Sequence, residues 1–154
     1  MKFLSTLSLI SLLLITGCGS SDNDEASSAA KQAPGSEFTA FELEHGIGPI
    51  TEEITISTDD LEKIEKGRLI FDSKCASCHQ MTERFVGPAL GDVSERRSDA
   101  FIMNMILNPS DMARKHPEGL KLLAEYMTPM PFQNVTEEDA RAITAYLKHV
   151  AEQP

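Results

Sequence analysis

Cysteine is scarce in this chain, with three among 154 residues, so a structural zinc site built from four cysteines is excluded. Basic residues are few as well: 14 Lys and Arg stand against 24 Asp and Glu, a formal net charge of −10. A chain this acidic does not bind nucleic acid through its bulk field. It is steered instead toward a basic patch on a protein partner, with a salt-dependent association rate, although the same charge also serves solubility. The apolar run at the N-terminus, Phe3 to Ile15, spans thirteen residues and is too short to cross a bilayer as a helix. No segment alternates convincingly as a strand and there is no internal repeat, which leaves an all-α reading.

What is present begins with Cys75-Ala76-Ser77-Cys78-His79. Two thiols three positions apart, followed at once by an imidazole, form the attachment signature of a c-type haem. The thiols add to the two porphyrin vinyl groups and the histidine lies beneath the iron. A thioredoxin-like reading of Cys-x-x-Cys requires a βαβ setting, and the residues upstream are helical instead. The N-terminal thirteen-residue run, preceded by Lys2 and ending in Ile15-Thr16-Gly17-Cys18, has the length of a signal-peptide core. It resembles a bacterial lipoprotein signal, which implies cleavage before Cys18 and acylation of that cysteine. Several acyl chains on one residue suffice for stable anchoring. With Cys18 given to lipid and Cys75 and Cys78 to haem, no disulfide remains to predict. Both uses place the chain on the periplasmic side of a membrane.

Three segments follow: residues 1–17 as signal peptide, 18–56 as a lipidated cysteine with a flexible acidic tether and arm, and 57–154 as the folded domain. Residues 19–40 are small, polar and acidic and read as disordered. Over 41–56, His45-Gly46-Ile47-Gly48-Pro49 reads as a turn-rich extended stretch, with Ile50, Ile54 and Ile56 able to lie against the domain. Ser57-Thr58-Asp59-Asp60 supplies N-caps for a helix that puts Leu61, Ile64, Gly67, Phe71 and Cys75 on one face. Thr136-Glu137-Glu138-Asp139 opens a second, running to about Ala151, with Ala140, Ile143, Leu147 and Val150 as its stripe and Tyr146 beside it. Between them lie an apolar helix from Ser98 to Leu107, stopped by Pro109, and another from about Pro117 to Tyr126.

Residues 57–152 resemble a small bacterial class I cytochrome c. The resemblance implies the all-α cytochrome c fold, its terminal helices crossing at Gly67 with Phe71 and Tyr146 alongside. It implies that the Pro88 carbonyl of Gly87-Pro88-Ala89-Leu90 accepts a hydrogen bond from the His79 ring, orienting it and raising its donor strength. It further implies Met130, within Pro129-Met130-Pro131, as the sixth ligand of one covalent haem c. The flanking prolines stiffen that loop; Met127, three residues earlier, is the rival. Met81, Met103, Met105 and Met112 read as core filler, and His45, His116 and His149 as surface residues. Leu90, Ile102, Met103 and Phe132 are candidates for the crevice wall, and Arg96 and Arg97 for propionate partners.

With histidine and methionine on the iron, the expected function is outer-sphere electron transfer rather than catalysis. The expected partners of this monomer are redox proteins: a quinol-oxidising complex or cytochrome as donor, a terminal oxidase or periplasmic reductase as acceptor. Around Arg84 to Leu90 the chain resembles lipoprotein cytochromes encoded near nitrous-oxide reductases. The alternative is a haem sensor or peroxidase-like enzyme with a displaceable sixth ligand, although no acid–base pair suited to peroxide chemistry is recognisable.

Overall fold

The computed structural model describes residues 37–153. The expected signal peptide, Cys18 and nearly all of the tether lie outside the described residues. Seven helices form among the described residues and no β-strand does: α1 Ala40–His45, α2 Leu61–Lys74, α3 Val93–Arg96, α4 Asp99–Leu107, α5 Pro109–Lys115, α6 Pro117–Tyr126 and α7 Glu137–Ala151.

Local chemistry accounts for most of the boundaries. The Asp60 carboxylate accepts the Lys63 N–H at the start of α2, and Ser98 Oγ accepts the Phe101 N–H at the start of α4. Thr136 and Asp139 close a reciprocal capping box on α7, as Thr39 and Glu42 do on α1. Pro109 ends α4 as expected, but it also opens α5, because proline fits the first helical turn, where its missing N–H has no intrahelical partner. Pro117 does the same for α6.

The frame is the crossing of α2 and α7, with α4 and α3 packed on other sides of α7. An added Cβ at Gly67 would lie 2.5 Å from the Ala142 carbonyl carbon and nearer still to its oxygen, so only a glycine lets the two backbones meet there. Phe71 and Tyr146 pack beside the contact with ring centroids 5.6 Å apart. Ile64, Gly67, Phe71 and Cys75 are buried as the helical stripe requires. Leu61 is not: it is 70% exposed and shares a shallow surface hollow with Leu69 and Ile70. Ala140, Ile143 and Leu147 are buried on α7 and Val150 only half-buried, while Ala142, Thr144 and Ala145 are buried too, since helices cover α7 on more than one side.

Residues 41–56, expected as a turn-rich extended arm whose isoleucines can lie against the domain, do fold onto it, with the unexpected helix α1 at their start. After α1 the chain runs along α4, and Ile50 and Ile56 enter the core with Ile54 packed against it. The backbone of this strap is satisfied by side chains. Asn104 donates to the carbonyls of His45 and Ile50 at 3.1 and 2.9 Å and accepts the Ile50 N–H at 3.0 Å. Asn108 donates to the Ile47 carbonyl. Asp99 accepts the Ile56 N–H at 2.7 Å and pairs with Lys148, which itself donates to the Ile56 carbonyl.

Two histidines expected at the surface are interior. His116 is fully buried between Phe38 and Phe101; its Nε2 faces the Glu42 carbonyl at 2.9 Å and its Nδ1 accepts the Glu118 N–H. His45 stacks at 4.5 Å on Phe41 and meets Ser98 Oγ at 2.7 Å. Together they stitch α1 to the starts of α4 and α6. His149 is half-buried on α7.

Candidate functional site

The Cys75–His79 segment begins where α2 ends. Cys75 closes the helix by donating its N–H to the Phe71 carbonyl, and the N–H groups of Cys78 and His79 both bond back to the Cys75 carbonyl at 3.0 and 2.9 Å. This tight turn presents both thiols and the imidazole to one side. Burial pushes the Cys75 thiol up to about 11, with neighbouring Lys74 opposing the shift.

The chain then folds back over the histidine. Gly87 donates to the Cys78 carbonyl, Leu90 to that of Gln80 and Gly91 to that of Met81, which lays residues 87–91 beside 78–81. The result places the Pro88 carbonyl 2.9 Å from His79 Nδ1. A carbonyl can only accept, so Nδ1 carries the proton and Nε2 keeps its lone pair for a metal. Gly87 is required for the approach, because a Cβ there would fall 2.6 Å from His79 Cε1.

Cys75, Cys78, His79, Pro88, Leu90 and Met130 all line one cavity of about 490 Å³, a volume typical of small-molecule and cofactor pockets. Met130 reaches it from the loop between α6 and α7, flanked by Pro129 and Pro131, which also line it. Met127 does not: it terminates α6 in a left-handed conformation, φ 54°, with its side chain 81% exposed. Of the other expected wall residues, Ile102 lines the cavity, Met103 is fully buried in the core away from it, and Phe132 stands 58% exposed outside it. Met105, read as core filler, is a wall residue, as are Phe101, Ile106, Leu122 and Leu123. Ile102, Met105 and Ile106 follow helical spacing on α4, a signal present in the sequence but masked by the apolar character of the whole helix.

Arg96 and Arg97 both line the cavity, yet each already has a carboxylate. Arg96 holds Asp92 with two hydrogen bonds and reaches the Ala89 carbonyl, bracing the turn that carries Pro88. Arg97 pairs with Glu118 and lies 4.7 Å over the Phe101 ring. The donor set therefore consists of two thiols at one end, an imidazole nitrogen with a free lone pair, and a thioether on a proline-flanked loop, within largely apolar walls. That set fits an iron porphyrin joined to the chain by thioethers.

Comparison with known proteins agrees. The family model described as Cytochrome c matches residues 64–151. A cytochrome c-553-like protein of Synechocystis sp. is 31% identical over 68 residues, 41% of this chain and 65% of that protein. The chain thus spans just under two thirds of that relative's length. The solved cytochrome c of Rhodothermus marinus is 41% identical with a TM-score of 0.66, covering 72% of this chain and 96% of the other. An engineered form of that protein, solved with a bound carbene intermediate, is 40% identical with a TM-score of 0.64, covering 73% and 97%. The cofactor of such a protein is covalent haem c.

Proposed function

Because this chain belongs to the cytochrome c family, whose members are in general electron-transfer proteins, we propose that it is a membrane-anchored single-electron carrier on the periplasmic side, not an enzyme. Cys75 and Cys78 would hold the haem through thioethers, His79 and Met130 would supply the nitrogen and sulfur donors to its iron, and Cys18 would carry the lipid. The observation that supports this best is the shared cavity of His79 and Met130, from which Met127 is turned away.

Haem bound there supplies a one-electron iron couple whose potential a methionine ligand raises. The chain's own residues do the rest. Pro88 fixes the His79 ring and strengthens its Nε2 as a donor. Pro129 and Pro131 limit the conformations of the Met130 loop, so the thioether is not readily displaced by water. Leu90, Ile102, Met105 and Ile106 keep solvent from the interior wall. An iron held by both His79 and Met130 would keep no position open for substrate, which would leave electron transfer as its chemistry.

The lipobox-like end of the N-terminal run supports anchoring at Cys18, and the net charge of −10 supports steering toward a basic face on the partner. The donor is a quinol-oxidising complex or another cytochrome. The acceptor is a terminal oxidase or a periplasmic reductase, with nitrous-oxide reductase a candidate.

Met130→Ala tests the central assignment. The haem stays attached, the reduction potential falls, the far-red methionine–iron band of the ferric protein disappears, and carbon monoxide binds the ferrous protein rapidly. An unchanged potential and a closed site would remove Met130 from the iron. Rapid carbon monoxide binding by the unsubstituted protein would turn the reading to a haem sensor or peroxidase-like enzyme. Fractionation of a Cys18→Ser form, expected to leave the membrane for the soluble fraction, checks the anchor.

A further inference from the structure

The loop that carries Met130 has few anchors of its own. Of α6, which feeds into it, only Gly119 near the start is buried, and the next buried residue after the loop is Val135. Met127 leaves α6 in the left-handed region and is exposed, Thr128, Pro129, Met130 and Pro131 line the cavity, and Phe132 is exposed beyond them. A thioether is a weak, neutral ligand, so what keeps it in place is the loop's geometry more than the bond itself.

Two cations from the haem-motif side reach this loop at its two ends. Arg84, five residues after His79, donates to the Glu125 carbonyl at 3.0 Å and lies 4.2 Å over the Tyr126 ring, where α6 gives way to the loop. Its guanidinium is also 3.9 Å from the Glu125 carboxylate. Lys74, immediately before Cys75, donates to the Gln133 carbonyl at 3.2 Å, three residues past Met130. The Gln133 amide donates in turn to the Pro131 carbonyl at 3.0 Å, so the Lys74 tie is relayed to the residue next to Met130. One tie precedes the methionine and the other follows it. Both start from backbone fixed by the covalent attachment segment and its return loop.

We propose that Lys74 and Arg84 are positioning residues that bracket the Met130 loop and set how tightly the sixth position is closed. The proposal rests on Met130 as the axial ligand. Lys74 and its partner Gln133 line the cavity, as do Glu125 and Tyr126, the two residues that Arg84 engages from outside it. Neither residue need touch the haem to act, and their loss opens the loop without removing the sulfur. Each tie is a charge-assisted hydrogen bond to a backbone carbonyl at the surface, and Arg84 adds its stack on the Tyr126 ring.

The test uses the full holoprotein with imidazole as the probe, titrated into the ferric form and followed by loss of the far-red band. Lys74→Gln and Arg84→Gln are each expected to tighten imidazole binding about three- to ten-fold. The double substitution should come near the product of the two, because the ties act at separate ends of one loop. Lys74→Arg, which keeps a donor, should stay close to the parent. Arg84→Lys, which keeps charge but loses the planar stack, should fall between. Amide exchange over residues 127–135 should rise in the same order. Unchanged imidazole affinity in the double variant, with Met130→Ala opening the site in the same assay, overturns the bracket while leaving the axial assignment intact. If Met130→Ala itself changes nothing, the axial assignment fails and the bracket with it. A lowered unfolding midpoint with unchanged imidazole affinity means the two ties are merely structural, and also overturns the proposal.

Discussion

Replacing Gly67 by alanine sets two opposing effects against each other, and their magnitudes decide the sign. In the interior of α2, alanine is a better helix former than glycine by about 1 kcal/mol, so a helix that touched nothing would gain stability. Here the new methyl would lie 2.5 Å from the carbonyl carbon of Ala142 and 3.0 Å from the Ile143 nitrogen. Both are backbone atoms of α7, so no side chain can swing aside. The helices must part, which loosens the Phe71–Tyr146 contact and the burial of Ile64 and Ile143 at the same crossing. Overpacking of this kind costs roughly 1–3 kcal/mol and sometimes more, and a clash against a backbone falls at the upper end. The expected net result is a loss of about 2 kcal/mol, or on the order of ten degrees in the unfolding midpoint for a domain of this size. Chemical denaturation of the ferric holoprotein followed by far-ultraviolet circular dichroism measures it. A near-ultraviolet spectrum reports the aromatic pair. A variant as stable as the parent, or more so, would show that helix propensity outweighs contact at Gly67 and that the crossing is not as close as described.

Asn104→Ala removes the hydrogen bonds that its amide makes to the carbonyls of His45, Gly46 and Ile50 and to the Ile50 N–H, and strands the N–H and carbonyl of Ile50 in the interior. A loss of about 3 kcal/mol is expected, with amide exchange rising first over residues 46–56 and the haem spectrum unchanged; uniform exchange across the domain would contradict it. The pH dependence should be acidic in sign. Lys121, and after it Arg97, hold Glu118 below its ordinary value of 4.5, and hydrogen bonds at the Thr136 cap, with Lys66 beyond, lower Asp139 likewise. A depressed folded value means the contribution is present above the unfolded value and is lost as pH falls through the folded one. Stability should therefore decline below about pH 4.5, and Glu118→Gln should flatten that decline in denaturation midpoints taken between pH 7 and pH 3. An equal slope in both proteins would count against the pairing.

How much of this was legible in the sequence divides along the range of the interactions. Residues close together in the chain could be read as they stand: the thiols and imidazole at 75–79 share one turn, and the caps of α2, α4 and α7 lie within three residues of what they cap, whereas the return of Pro88 to His79 across nine residues was implied only by the family resemblance. The periodicity that gave α2 and α7 their buried stripes worked because each has a polar side to contrast with it, and it failed at Leu61, a residue of the right type one turn beyond the crossing. α4 has no such contrast. Its run from Ala100 to Ile106 is buried nearly all round, so nothing in the pattern separates Met103, which faces the core, from Met105, which faces the cavity. The two histidines show the same limit from the polar side. His116 is satisfied by the carbonyl of Glu42, 74 residues away, and His45 by Ser98, 53 away; neither partner leaves a trace in the residues that flank the ring. The strap was half legible for a related reason. Its isoleucines show that it can lie against the domain, but the residue that accepts and donates for its backbone, Asn104, lies more than fifty positions on. Polar atoms buried at long range must find partners, and the identity of those partners belongs to the fold. The two cations at Lys74 and Arg84 belong to this class as well. By sequence they are surface charges beside a haem motif, and only the folded chain brings them to the carbonyls on either side of Met130.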